Sequence, residues 1–364
     1  MKMIKRWLAL SLLIAICLCA TSCGYRAVKS TKEEQKTVLT MSVDGEKYEV
    51  AYELYRAFFL QLKSEVDGGD ESVWTSENKD EYIARIDEMI YSRIADIYAV
   101  IHLCDKLGIN LYSRNVKKTI KNYIKASVEG GSIDDSVFEG FGGDYDAYLA
   151  HLKSMYLNYS VQELLFRYTI ANILLADYYA DKIDDGAYNF TRDDVKAFYD
   201  SDECVRVLQM FLPTTSEIDK IINTPERAQK LRDGVAELTY EYAVGSYMIS
   251  NSLATEELRN GFFIGKWSLD SIYYEKLTDA AFSLDIGETS EVIEIYTGAS
   301  NGYFIIYRCE KSNDNFESCY TDIESTYIQN RMGKSIDEIK IELIKNTVTT
   351  KELDNLDRST ISMN

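Results

Sequence analysis

The sequence predicts an α+β fold. A helical amino-terminal region comes first, residues 203–311 follow as a mixed block with a small antiparallel sheet, and a helix over 316–350 returns to pack on the first region. Three observations predict it. Residues 51–184 carry apolar side chains mainly at helical spacing. Val205–Leu212, Val292–Tyr296 and Tyr303–Cys309 then read as strands between helical stretches. The final helical stretch is too short to be a domain, so its apolar face needs a partner. Composition agrees with a folded chain. Of 364 residues, 46% are hydrophobic and 12% aromatic, enough to bury a core and exclude wholesale disorder. With 59 acidic against 40 basic side chains the formal charge is −19, which argues against a nucleic-acid partner. Two histidines leave little for a histidine-based metal site or catalytic triad. The length points to about two domains.

Each element has a local cause. Val38–Val43 and Lys47–Val50 flank Asp44-Gly45, the signature of a tight hairpin. Ala51–Glu65 places Tyr52, Tyr55, Phe58, Phe59 and Leu62 on one helical face. A Gly/Asp/Ser loop near 67–78 leads to a long amphipathic helix, Tyr82–Leu107, stopped by Gly108. Further helices are expected at 113–127, 144–156 and 160–184. Thr191 and Asp194 have capping-box spacing for a short helix through Tyr199. Residues 216–243 read as helical, Gly261–Trp267 as a glycine-rich aromatic segment, 273–284 as helix, and Phe316–Lys345 as helix. His102 and His151 read as helix-face or core-edge histidines. The acidic stretch Asp134, Asp135, Glu139, Asp144 and Asp146 lacks calcium-loop spacing and reads as a solvated loop.

The first residues read as an export signal. Lys2, Lys5 and Arg6 precede an uncharged apolar run, Trp7–Ala20, shorter than the roughly 20 residues a membrane span needs. Ala20-Thr21-Ser22-Cys23-Gly24 resembles the bacterial lipobox, with Ala20 where leucine is usual. The resemblance implies cleavage after residue 22, lipid on Cys23, a polar tether over 23–37, and a body held on the extracytoplasmic face of a bacterial membrane. The acidic body would then be repelled from anionic headgroups while the lipid held it there.

Two later stretches carry a second likeness. Ala280-Ala281-Phe282-Ser283-Leu284-Asp285-Ile286-Gly287-Glu288-Thr289-Ser290, followed by Gly302-Tyr303-Phe304-Ile305-Ile306, resembles the last third of parvulin-type peptidyl-prolyl isomerases. Val205–Leu212 resembles their first strand and Gly261–Trp267 their glycine-rich loop. Upstream, the Ser42–Tyr48 hairpin, Cys104–Val116 and Phe141–Leu149 resemble the helical region of SurA/PrsA-type foldases over 38–200. Order and spacing, rather than any one motif, make the likeness specific. It implies an extracytoplasmic foldase or chaperone that binds unfolded or newly exported polypeptides, with neither cofactor nor metal.

Isomerisation about X-Pro faces a barrier of about 18–20 kcal/mol and needs shape and a few polar groups rather than covalent chemistry. Carried over position by position, the two parvulin histidines fall on Gln209 and Phe304, and a hairpin Ser/Thr falls on Asn301. The proline pocket falls on Ile264, Ile272 or Tyr273, and Leu277, with Phe211, Trp267 and Phe282 around it. Both histidines are replaced, so the resemblance implies peptide binding with weak or lost isomerase activity. An isomerase with a rearranged pocket and a non-catalytic envelope adaptor are the alternatives.

If the two histidine positions face each other across neighbouring strands, the same register opposes Cys204 and Cys309, and a disulfide there is geometrically allowed. Cys17 and Cys19 leave with the signal, and Cys104 and Cys319 remain.

Overall fold

A computed structural model describes residues 30–361, apart from 68–69, 71, 73, 76, 134–135, 185–189, 252–259, 268–271 and 296–300. Cys23, expected to carry lipid, therefore lies outside the described residues, as do Asp134 and Asp135. The fold is α+β. Residues 179–334 form one compact unit, and 30–178 with 335–361 form a second.

The second unit opens on the expected hairpin. Strands β1 (Thr37–Val43) and β2 (Glu46–Ala51) pair antiparallel with Val43 opposite Glu46. That register leaves Asp44 and Gly45 as the loop, with φ of 50° and 82°, the left-handed pair a type I′ turn requires. Helix α1 (Tyr52–Asp67) buries Tyr55, Phe58, Phe59 and Leu62, and α2 (Lys79–Lys106) buries Ile86, Ile90, Ile94, Ile97 and Ile101. Gly108, at φ 75°, lets the Ile109 amide return to the Cys104 carbonyl and ends α2. Helix α3 (Arg114–Glu129) is capped by Ser113, whose side chain accepts from the Val116 amide. A short hairpin, β3 (Gly131–Ile133) with β4 (Ser136–Phe138), precedes α4 (Tyr145–Ser154), capped by Asp144, and α5 (Tyr159–Asp184). Sequence periodicity missed β3 and β4 because three residues are too few to show an alternation.

The first unit begins with α6 (Arg192–Asp200), where Thr191 and Asp194 form the predicted capping box. Strand β5 (Cys204–Pro213) follows. The stretch read as one helix over 216–243 is three: α7 (Glu217–Ile222), α8 (Pro225–Ala236) and α9 (Glu241–Asn251). The first break lies where Asn223 turns its amide to the Pro213 carbonyl and Thr224 caps a helix whose first residue, Pro225, has no N–H to offer. Next come β6 (Phe262–Gly265), α10 (Ile272–Ser283), β7 (Ile293–Ile295) and β8 (Gly302–Cys309). The sheet order is β6-β5-β8-β7, all antiparallel, so β5 and β8 are its centre. One face, with Leu208, Met210, Leu212, Ile305 and Tyr307, is covered by α8 and α9 through Leu231, Val235, Val244 and Met248. The other carries Val205, Val207, Phe304 and Ile306 beneath α10.

The expected last helix breaks at Cys319 into α11 (Asn313–Ser318) and α12 (Tyr320–Lys345). The first half of α12 lies in the first unit and the remainder in the second. In the second unit Ile336, Ile339 and Leu343 are buried, and Lys340 meets Asp96 at 2.9 Å. Strand β9 (Val348–Thr349) then pairs with β1, making the order β2-β1-β9. A short helix, α13 (Lys351–Asp354), and a final turn follow, in which Arg358 donates to the Tyr55 hydroxyl at 2.9 Å and pairs with Asp87 at 3.2 Å.

Within the first unit, α12 approaches the β6 loop closely. A Cβ on Gly333 would overlap the Trp267 carbonyl, and the Asn330 side chain accepts from the Trp267 amide at 2.9 Å. In a helix interior Gly→Ala ordinarily stabilises by about 1 kcal/mol. Gly333→Ala should instead lower the unfolding midpoint, by a cost on the order of 1–3 kcal/mol, because the Trp267 backbone must shift. Thermal denaturation followed by circular dichroism checks the sign.

Candidate functional site

The site begins with the pairing of β5 and β8. Phe211 stands opposite Phe304, and Gln209 opposite Ile306. The two phenyl rings stack at 4.4 Å with 20° between their planes. Strand alternation puts Gln209, Phe211, Phe304 and Ile306 on one face, with Ile264 of β6 alongside, since Ile264 pairs with Val205. Leu277 and Phe282 come to that face from α10. Six of the expected pocket residues are therefore brought together: Gln209, Phe211, Ile264, Leu277, Phe282 and Phe304.

Their packing is closed. Phe304 is 1% exposed and Ile306 fully buried, while Gln209 and Phe211 keep partial exposure at the rim. Arg308, on the same face, spends its guanidinium on the Ala281 carbonyl at 2.7 Å, at the end of α10. Burial holds its pKa below the usual arginine value. Among the described residues of this cluster, no carboxylate or imidazole stands ready to move a proton. Gln209 can donate or accept a hydrogen bond to an amide, and nothing more.

The other expected positions go elsewhere. Trp267 is held against α12: its ring lies 4.4 Å from the Lys334 ammonium, and Lys334 pairs with Glu203 at 2.9 Å. Ile272 and Tyr273 start α10, but their side chains lie outside the described residues. The Asn301 carbonyl accepts from the Thr214 amide at 2.8 Å, extending the β5–β8 register. Alternation then assigns its side chain to the face of Tyr303 and Ile305, away from Gln209 and Phe304.

The expected Cys204–Cys309 register is corrected by two residues. Cys309 stands opposite Arg206, Cys204 opposite Gly265, and all four described cysteines are free and buried. The position facing Cys204 across from β5 is taken by Lys311, whose ammonium donates to the Cys204 carbonyl at 2.9 Å and also to Ser201 and Tyr199. A slip of two residues keeps every side chain on its own face, so the hydrophobic pattern fits both registers equally. Contacts outside the pattern decide between them. A Cβ at Gly302 would overlap the Leu212 carbonyl, so glycine permits the close approach opposite Pro213.

Arg206 is the residue that pattern reading missed. It is 2% exposed and bonds Glu241 of α9 through both terminal nitrogens, at 2.6 and 3.0 Å. Its remaining donors reach the Asn260 and Glu310 carbonyls at 2.7 and 2.9 Å. A single arginine inside Val205-Arg206-Val207-Leu208 was the available signal, since a buried charge needs a partner.

Both histidines belong to the second unit. His102 is 3% exposed, with Nδ1 2.8 Å from the Tyr48 hydroxyl, and His151 lies against Met155 and Phe141. Among the described residues no group of His, Cys, Asp and Glu could hold a metal ion, and no helix is long and apolar enough to cross a membrane.

Neither a protein-family model nor a curated protein matches the chain. Among solved structures it is similar to foldase protein PrsA from Streptococcus pneumoniae. That match is 15% identical, covers 86% of this chain and 97% of that one, and has a TM-score of 0.29. PrsA from Bacillus subtilis is 16% identical over 77% of this chain and 93% of its own, with a TM-score of 0.22. Foldase protein PrsA from Lactococcus lactis is 15% identical over 87% and 96%, with a TM-score of 0.23.

Burial pushes the thiols of Cys104, Cys204 and Cys309 up to about 12. At mildly alkaline pH these three should resist iodoacetamide in the native protein and react once urea unfolds it, because the thiolate is the nucleophile. Non-reducing peptide mapping should recover Cys204 and Cys309 unlinked; a joined peptide would contradict the observed register.

Proposed function

We propose that this chain is a lipid-anchored extracytoplasmic foldase of the peptidyl-prolyl isomerase type that binds unfolded or newly exported polypeptides and has little or no isomerase activity. The observation that carries the reading is the Phe211–Phe304 stack. At a position where the parvulin resemblance puts a histidine, a buried phenyl ring fills the face with hydrocarbon. Catalysis here would need groups stronger on the twisted amide than on the planar one. Gln209 is the remaining polar group at these two positions. A thousandfold loss of rate corresponds to about 4 kcal/mol of transition-state stabilisation.

Binding has separate support. Helix α7 exposes three isoleucines in six residues, Ile218 at 69%, Ile221 at 77% and Ile222 at 51%, and Tyr240 and Tyr242 are exposed farther along the same unit. Apolar surface of this kind suits loosely specified contact with unfolded chain. The lipobox supplies the anchor and the export signal supplies the compartment.

Two assays on the same preparation test the reading. A proline-peptide isomerisation assay should show acceleration below about tenfold, roughly 1.4 kcal/mol. Aggregation of an unfolded client should still be suppressed, and Ile218→Ser, Ile221→Ser and Ile222→Ser together should weaken that suppression, since exposed substitutions leave stability within about 0.5 kcal/mol. Strong acceleration abolished by Gln209→Ala would overturn the loss of activity, and absent suppression would overturn the binding role.

A further inference from the structure

Helix α3 stands apart from the acidic character of the chain. Its sequence, Arg114-Asn-Val-Lys-Lys-Thr-Ile-Lys-Asn-Tyr-Ile-Lys-Ala-Ser-Val-Glu129, carries five cations and a single carboxylate. Arg114, Lys117, Lys118, Lys121 and Lys125 are all exposed. At 3.6 residues per turn they fall within an arc of about 100°, while Val116, Ile120, Tyr123 and Ile124 bury the other side. Lys125 pairs with Glu129 at 3.2 Å; Arg114, Lys117, Lys118 and Lys121 form no ion pair among the described residues.

This arrangement works against the helix that bears it. Arg114 and Lys118, Lys117 and Lys121, and Lys121 and Lys125 are like charges four apart, and such pairs weaken a helix. Arg114 also puts a cation in the first turn, against the helix dipole, and no acidic residue offsets it there. The chain as a whole carries a formal charge of −19, yet the one carboxylate on this helix is Glu129. Tyr112, two residues before the helix, is 55% exposed with the Arg167 guanidinium 4.6 Å from its ring. A tyrosine with one polar end beside a row of cations is the composition found at a membrane–water interface.

We propose that the basic face of α3 docks on the anionic headgroups of the membrane that carries the chain. The proposal rests on the lipid-anchor reading, which holds the body within reach of that surface. Net charge does not oppose it at short range. The Debye length is about 8 Å at physiological ionic strength, so headgroups interact with the cations set against them and the acidic remainder of the body is screened. Each cation at such a surface contributes roughly fivefold in occupancy. The lipid would thus tether the chain and α3 would orient it.

The full chain reconstituted into vesicles provides the test, with one population of phosphatidylcholine alone and another of phosphatidylcholine with phosphatidylglycerol. Lysine acylation is read by mass spectrometry, with Lys47 and Lys230 as references. With phosphatidylglycerol, Lys117, Lys118 and Lys121 should react at least about fivefold more slowly, and the protection should vanish near 1 M salt, where the Debye length is about 3 Å. Lys117→Glu with Lys118→Glu should remove the protection of Lys121. Equal rates in both vesicle types would overturn the proposal. So would protection without vesicles that grows with protein concentration, which would assign the stripe to an acidic face of a second copy. Failure to attach to phosphatidylcholine alone would count against the anchor, and protection by added phosphatidylglycerol vesicles would still support the helix.

Discussion

Strand β5 is buried on both faces, and the first unit is arranged around that constraint. Its even positions, Leu208, Met210 and Leu212, lie beneath α8 and α9, and its odd positions Val205 and Val207 lie beneath α10. A central strand needs partners for its backbone groups, and β6 pairs with Cys204–Val207 while β8 pairs with Arg206–Pro213. The one charge inside it, Arg206, is tolerated because Glu241 and two carbonyls satisfy its donors. That pair also ties the start of α9 to the sheet. Lys311 does similar work at the same end of the pairing, drawing the carbonyls after α6 toward the end of β8.

The candidate site inherits its character from this packing. A face shaped to grip a proline ring must leave room for one, and here Phe304, Ile306 and Leu277 are themselves the filling. Polar chemistry has withdrawn to Gln209 at the rim. Exposed apolar side chains of this unit lie outside the sheet, among them the isoleucines of α7.

Much of the fold was legible because its causes are local. Asp44-Gly45 dictates a type I′ turn, Gly108 ends a helix, and the Thr191–Asp194 spacing caps one. That Gln209, Phe211 and Phe304 share a face was legible because alternation along a strand fixes the face. The surroundings of Trp267 were not, because its partners Asn330, Gly333 and Lys334 lie more than sixty residues away and no local pattern announces them. The breaks at Thr224-Pro225 and Cys319 were also missed, since apolar spacing alone runs through both.

The sequence by itself determined the long helices and the central strands, which face of β5 and β8 each side chain occupies, and that the residues at 209 and 304 are glutamine and phenylalanine. Only the tertiary structure decided the register of β5 against β8, and with it the fate of Cys204 and Cys309. The reason is arithmetic. A strand repeats every two residues, so a slip of two is invisible to hydrophobic pattern, and the close approach at Gly302 and the reach of Lys311 choose between registers that pattern treats as equal. The same holds for α3: its cations are written in the sequence, but their exposure on a single stripe, with only Lys125 ion-paired among the described residues, is a property of the folded chain.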